Sequence, residues 1–273
     1  MSDPQTVRDR LWLWGHQAGS HTTGPAKDIW KLPGESRITP AEAAEYMGIP
    51  NCILVVYADQ PRPPFAPAAR PMASLSRLVW SIVGDSGSTR NDRQTDLEEV
   101  LHLSAEMPNV TGAMMDDFFA AEGRPRYPAE TLADIRRRLK SAGPRPLDLW
   151  VVLYHDQLAL PVGPCLEQCD VATFWTMRTR QLDRLEANFE SFCALAAARR
   201  RVLGLYMWDY GSGRAMPVPT MKRQCELGLR WLRAGRIEGM IFLASCICDL
   251  GLEAVEWTRR WIADVADEPL GRA

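Results

Sequence analysis

Two adjacent carboxylates end the segment Val110–Phe119, and they are the first place where this sequence suggests chemistry. An apolar run that stops abruptly at Asp116 and Asp117 needs an explanation, because an unpaired buried charge costs several kcal/mol. Period-two alternation would put Met114 and Asp116 on one face of a strand and Met115 and Asp117 on the other. The two acids are therefore expected to do different jobs. A plain structural account stands beside the chemical one: an Asp at a strand end can cap a turn or pair with an arginine.

The pattern recurs along the chain. Apolar segments with strand character span residues 10–16, 51–59, 78–85, 110–119, 147–155, 169–175, 201–209 and 237–245. The first three finish on His16, on Tyr57 and Asp59, and on Asp85. After Asp116 and Asp117, the later ones finish on Tyr154 and His155, on Trp175, on Trp208 and Asp209, and on Ser245. Acids, imidazoles and large aromatics thus collect at the carboxyl ends, while the amino ends carry ordinary turn residues. Flat aromatic rings pack on the apolar face of a sugar, and carboxylates and imidazoles bind its hydroxyls. Cleaving a glycosidic bond ordinarily needs two carboxyl groups, one as acid and the other as base or nucleophile. The fourth and seventh segments would supply Asp116 or Asp117 and Asp209.

What must position these residues is an alternation of buried strands and amphipathic connections. Thr39-Pro40-Ala41-Glu42 has the form of a capping box with proline at the first helical position, and Gly48 would end that helix. Thr95 to Glu98 reads as a second capping box. Leu132, Ile135 and Leu139 form one apolar stripe; Leu182, Leu185, Phe189, Phe192 and Ala196 form another. Gly235 would stop a helix begun near Thr220, and Leu250, Ala254, Trp257, Trp261 and Val265 mark the last one. Five prolines between Gln60 and Ser76 argue against a full helix there, and residues 17–37 read as a long loop. Strands buried on both faces and alternating with helices indicate an α/β fold, and eight units match a single (β/α)8 barrel over residues 1–273. Long loops follow its first two strands, with a short or missing helix after the second. An open doubly wound sheet would carry a glycine-rich nucleotide fingerprint after its first strand, and that fingerprint is missing.

Composition narrows the partners. The net charge of −2 gives no sign of a nucleic-acid or anionic-membrane partner, and no apolar run is long enough to span a bilayer. Seven cysteines without paired metal-ligand spacing are expected as free, buried thiols. With a polar start over Met1–Arg10, they indicate a cytosolic protein with no metal and no cofactor. The oligomeric state is open.

The strand-end pattern resembles the broad class of (β/α)8 glycoside hydrolases, many of which carry a catalytic carboxylate at the end of strand four and several one at strand seven. Here those positions fall at Asp116 and Asp117 within Met-Met-Asp-Asp-Phe-Phe and at Asp209 within Met-Trp-Asp-Tyr. The segments Leu11–His16 and Ile247–Trp257 are also similar to hydrolase-like barrels of unassigned activity. The resemblance implies a carbohydrate substrate, with Asp116, Asp117 and Asp209 as catalytic candidates. His16, Tyr57, Asp59, Asp85, Tyr154, His155, Trp175 and Trp208 would bind substrate. The Asn-Glu pair common after strand four is absent, so the acid's identity and a retaining or inverting outcome stay open.

Two other readings stand beside this one. A metal-dependent sugar isomerase or epimerase would gather His16, Asp59, Asp117, His155 and Asp209 on a divalent ion, although the first strand lacks a His-x-His pair. In a sugar-phosphate variant, Gly211 to Arg214 would hold phosphate. A carbohydrate-binding barrel without turnover is the third. Blander roles are also available: Asp209 could pair with Arg178, Arg180 or Arg214, and Asp249 could cap the last helix. Trp14 and Trp80 are expected as barrel filling, His21 on a loop and His102 on a helix surface.

Overall fold

The computed structural model describes residues 5–91, 94–120 and 123–271; the first four residues of the polar start lie outside them. In chain order the strands are β1 (Leu11–Gly15), β2 (Asn51–Leu54), β3 (Arg77–Val83), β4 (Val110–Met115), β5 (Asp148–Tyr154), β6 (Val171–Trp175), β7 (Arg200–Tyr206), β8 (Trp208–Asp209), β9 (Arg214–Ala215) and β10 (Gly239–Leu243). The helices are α1 (Gly24–Trp30), α2 (Pro40–Met47), α3 (Ala66–Ala69), α4 (Thr95–Glu106), α5 (Ala129–Ser141), α6 (Gly163–Leu166), α7 (Leu185–Leu195), α8 (Val218–Arg233) and α9 (Glu253–Val265). Eight parallel strands close into a barrel in the order β1-β10-β7-β6-β5-β4-β3-β2, which is the (β/α)8 architecture that the alternation predicts. The chain divides into two compact units: residues 1–52, 176–185 and 202–273 form the first, residues 53–175 and 186–201 the second.

In the first unit β10 is the central ladder strand. Its residues Met240 to Leu243 pair with Leu11 to Trp14 of β1, and Gly239 to Leu243 pair with Val202 to Tyr206 of β7. All ten residues of β1 and β10 are buried, as continuous apolar strands require. The α2 capping box forms as expected: the Thr39 side chain accepts from the Glu42 N–H at 3.3 Å, and the Glu42 carboxylate accepts from the Thr39 N–H at 2.9 Å. Gly48 closes that helix at φ 67°. Two expectations fail here. Residues 17–37 are not all loop, because Gly24 and Pro25 open the seven-residue α1. Asp249 does not cap α9, whose N-cap is Leu252; its carboxylate accepts instead from the N–H groups of Arg37 (2.8 Å) and Ile38 (3.1 Å).

In the second unit β3, β4, β5 and β6 pair in sequence. The close passage of β4 over β5 needs a residue without a side chain. A Cβ on Gly112 would lie 2.8 Å from the Asp148 carbonyl and 2.9 Å from the Trp150 indole nitrogen. Trp80 is fully buried against Phe65 (ring centroids 5.0 Å apart), and Phe174 stacks on Phe192 at 4.9 Å. The proline-rich stretch forms only the one-turn α3 and a short 3-10 turn at Arg70–Met72. Thr95 is the first helical residue of α4 rather than its cap; Gln94 takes the cap position in a left-handed conformation without a side-chain bond.

Candidate active site

The end of β4 gives the most developed polar site. Asp116 still belongs to the ladder, its N–H donating to the Val83 carbonyl at 2.8 Å. One residue later Asp117 turns to φ 40°, and regular strand stops at Met115. Regular period-two alternation therefore ends at Met115, and the left-handed bend at Asp117 sets the direction of the second acid. Asp and Asn tolerate left-handed backbone better than most residues, so an acid at this bend is also the cheap choice conformationally.

The two acids then live in different surroundings. Asp116 is 7% exposed, and burial, reinforced by the charge of Asp117, pushes its carboxyl well above the usual range. Its Oδ1 accepts from the Asp117 N–H at 2.9 Å. Asp117 is half-buried; its Oδ1 accepts from the Tyr154 hydroxyl at 2.9 Å and its Oδ2 from the Ser86 N–H at 3.0 Å. A buried acid thus stands directly behind a carboxyl group held by two neutral donors.

Asp117 also lines a cavity of about 610 Å³, with Ser86, Phe119, Ala120, Pro125, Arg124 and Arg126. The chain beyond Phe118 doubles back as a short antiparallel arm, through the bridge between Phe119 and Pro125 and the bond from the Ala120 N–H to the Arg124 carbonyl (2.9 Å). Arg126 fastens this arm down. Its Nε donates to the Asp117 carbonyl at 3.3 Å and its Nη2 to the Ser86 carbonyl at 3.4 Å. Phe118 and Phe119, both buried, meet edge to face with centroids 4.9 Å apart. Gln157, from the 3-10 turn opened by half-buried His155, accepts from the Tyr154 N–H and donates to the Phe119 carbonyl.

The acids before β4 are committed to backbone and side-chain donors of the loops after β2 and β3. Asp85 accepts from the Ala58 N–H (2.9 Å), the Ser88 hydroxyl (2.6 Å) and the Gly87 N–H (3.0 Å). Asp59, at φ 62°, accepts from the N–H and hydroxyl of Thr89 at 2.8 and 2.7 Å. Burial works against its ionisation, but the Thr89 bonds and the Arg90 charge outweigh it and lower its pKa. Tyr57 forms an antiparallel bridge with Gln60, because β2 ends at Leu54 rather than continuing to Asp59. Trp175 is 1% exposed, with its indole N–H on the Thr173 hydroxyl at 2.8 Å.

Acids at the opposite, amino ends of the strands provide a contrast that the sequence reading missed. Asp148 pairs with Lys140 (3.0 Å) and Arg200 (2.7 Å). Asp170 pairs with Arg136 (2.7 Å) and Lys140 (3.0 Å). Burial opposes the ionisation of Asp170, yet the Leu149 N–H and the two cations prevail and lower its pKa. Charge neutralisation between neighbouring elements accounts for these acids as structural staples.

The first unit holds a second cluster. His16 follows β1, and its backbone is locked by Ser245, whose hydroxyl accepts from the His16 N–H (2.9 Å) and donates to the His16 carbonyl (3.0 Å). His21, expected as a loop residue, is buried 4.2 Å from the His16 ring, with Nδ1 2.9 Å from the Tyr210 hydroxyl. Burial lowers the His16 pKa to about 3; burial and then the His16 charge lower that of His21. The Trp30 ring meets Tyr210 edge to face at 5.2 Å, and the Trp208 indole donates to the Trp30 carbonyl at 3.0 Å.

Trp208 and Asp209 do not end β7. They form β8, which pairs with β9 in an antiparallel hairpin whose turn contains Gly213 at φ 59°. That turn explains the glycines that a phosphate site would also have used. Asp209 is 0% exposed; Oδ2 accepts from the Thr179 N–H at 3.2 Å and faces Arg214 Nε at 3.5 Å. The expected arginine partner is thus Arg214.

Among the described residues no group of three or more His, Cys, Asp or Glu side chains is arranged to hold a metal ion, so the five residues suggested for a divalent site do not assemble one. All seven cysteines are free, and six are buried. No described helix is long and apolar enough to cross a membrane.

No protein-family model matches the sequence, and no curated protein does. Solved structures do. A β-1,3-glucanosyltransferase from Rhizomucor miehei superposes with TM-score 0.54 at 10% identity, covering 86% of this chain and 87% of that one. The spore cortex-lytic enzyme SleL of Bacillus megaterium gives TM-score 0.58 at 10% identity, over 99% of this chain and 77% of that one. A family GH18 chitinase from Cycas revoluta, in complex with allosamidin, gives TM-score 0.53 at 11% identity, over 94% and 99%. This chain has their barrel. At such identities the likeness establishes the (β/α)8 barrel fold and leaves the chemistry of this barrel to its own residues.

Proposed function

We propose that this protein is a carbohydrate-active hydrolase in which Asp117 is the proton donor at the scissile bond. The observation that carries this reading is the placement of Asp117. It bends out of the end of β4 into a cavity, held at both oxygens, in front of a buried acid whose pKa burial and the Asp117 charge raise. The solved structures with this barrel include enzymes named for acting on glucan and chitin, which favours a sugar as the ligand.

In the proposed step the glycosidic C–O bond breaks as Asp117 passes its proton to the leaving oxygen. Water adds through its oxygen to the anomeric carbon, and the proton it releases restores Asp117. Tyr154 and the Ser86 N–H position the Asp117 carboxyl, and both donors hold it more strongly as it becomes the carboxylate. Asp116, buried and favoured in its protonated form, is a positioning residue through its bond to the Asp117 N–H. Asp209, fully buried beside Arg214, is assigned no chemical step.

The test is product analysis of an oligosaccharide panel, covering β-1,3-glucans and chito-oligosaccharides among others, with the natural protein and with Asp117→Asn. Cleavage of at least one member that is lost in the variant supports the reading. Equal cleavage by both proteins removes Asp117 from the mechanism.

A further inference from the structure

Resting on the hydrolase reading, we infer that the sugar bound beside Asp117 carries a negative charge, a carboxylate or an ester sulfate. The chain as a whole bears a formal charge of −2. The cavity reverses that sign, with two basic residues, Arg124 and Arg126, in its lining against one acidic residue, Asp117. The two arginines stand two residues apart on the returning side of the antiparallel arm, the spacing that turns alternate side chains to one face. Both line the cavity.

Arg126 is braced by the carbonyls of Asp117 and Ser86, so part of the ordering cost of presenting a cation to a ligand has already been met. Arg124 lies on the same lining and is exposed to solvent. A neutral glycan would need hydroxyl-binding groups here, such as amides and carboxylates. The planar guanidinium of Arg124 suits a carboxylate or sulfate, which it can grip through two parallel N–H bonds, with the charge of the braced Arg126 beside it. A charged sugar so held would be anchored within the same cavity as the proposed proton donor, which ties charge recognition to cleavage at one neighbouring bond.

The test is calorimetric binding at low salt to matched pairs of glycans: oligogalacturonate and its methyl ester, a hyaluronan oligosaccharide and its methyl ester, and a carrageenan oligosaccharide and its desulfated form. At least one charged member should bind about tenfold or more tightly than its neutral counterpart. Arg124→Gln should shrink that ratio, and the Arg124→Gln/Arg126→Gln double variant should bring it near one, with folding checked by circular dichroism. The pair that discriminates identifies the anion as carboxylate or sulfate. If no charged member outcompetes its neutral partner, or if the preference survives in Arg124→Gln and in the double variant, the inference is overturned. Hydrolysis of a neutral oligosaccharide that Asp117→Asn abolishes, with no charge preference in any pair, would retain the hydrolase reading and sink this one alone.

Discussion

The hydroxyl of Tyr154, at the last position of β5, donates to Oδ1 of Asp117, two residues past the end of β4, at 2.9 Å. This bond joins the tips of two neighbouring strands and aims the acid at the cavity. Tyr154→Phe removes the donor without changing the ring. It should lower kcat about tenfold, the worth of one hydrogen bond to a charged group, while the melting transition stays close to that of the natural protein. Steady-state kinetics on any cleaved oligosaccharide, alongside thermal unfolding, would check it.

Asp116 should leave a signature in stability rather than in binding. Its folded pKa is raised, so the fold favours the protonated form. That contribution is fully present below the ordinary Asp value near pH 3.9 and is lost as pH rises through the folded value. Asp116→Asn keeps an oxygen for the Asp117 N–H and cannot ionise. The variant should be more stable than the natural protein at neutral pH and lose that advantage in acid, which urea melts at a series of pH values would show. An advantage that did not change with pH would contradict the assignment.

The buried histidine pair predicts an acid limb of opposite sign. His16 and His21 are held neutral, with folded pKa values below the ordinary 6.5. Their contribution is present above pH 6.5 and is lost as pH falls toward the folded value, about 3 for His16. His16 should take away about 1.4 kcal/mol of stability per pH unit over that window. His16→Asn should remove one proton from the slope of stability against pH between 6 and 4 (about, by the same linkage), read from denaturant melts.

Gly84 marks the tightest backbone approach near the site. A Cβ there would stand 2.3 Å from the Val56 carbonyl and 2.9 Å from the Val56 Cβ. Gly84→Ala should therefore cost about 1–3 kcal/mol through overpacking and disturb the Asp85–Ala58 tie beside it. Equilibrium unfolding measures the cost.

Much of this architecture was legible because each buried strand announces itself as a continuous apolar run and each helix by its stripe; Leu132, Ile135 and Leu139 are all buried on α5 as the periodicity required. The capping box at Thr39 and Glu42 reads locally, since both its bonds span three residues. Strand ends were harder. The apolar run of β7 continues through Met207 and Trp208, and nothing in its hydropathy says that the chain leaves the barrel after Tyr206 to make a hairpin. The glycines at 211 and 213 were the available signal. His21 was missed for a different reason: its partner Tyr210 lies 189 positions away, and a histidine in a Gly/Ser loop has no local pattern that marks it as buried. At β4 unlike roles for the two acids were legible but which acid would be buried was not, because the left-handed turn at Asp117 depends on neighbours that alternation does not include.

The central claim is that Asp117 supplies a proton to a departing oxygen, and leaving-group dependence tests it most directly. Once a cleaved glycan is known, Asp117→Ala should be assayed on its natural glycosidic bond and on the matching dinitrophenyl glycoside, whose leaving group departs without protonation. The account predicts a loss of about 100- to 10,000-fold on the natural bond and a far smaller loss on the activated one. Equal losses on both substrates, or no loss on either, would contradict it.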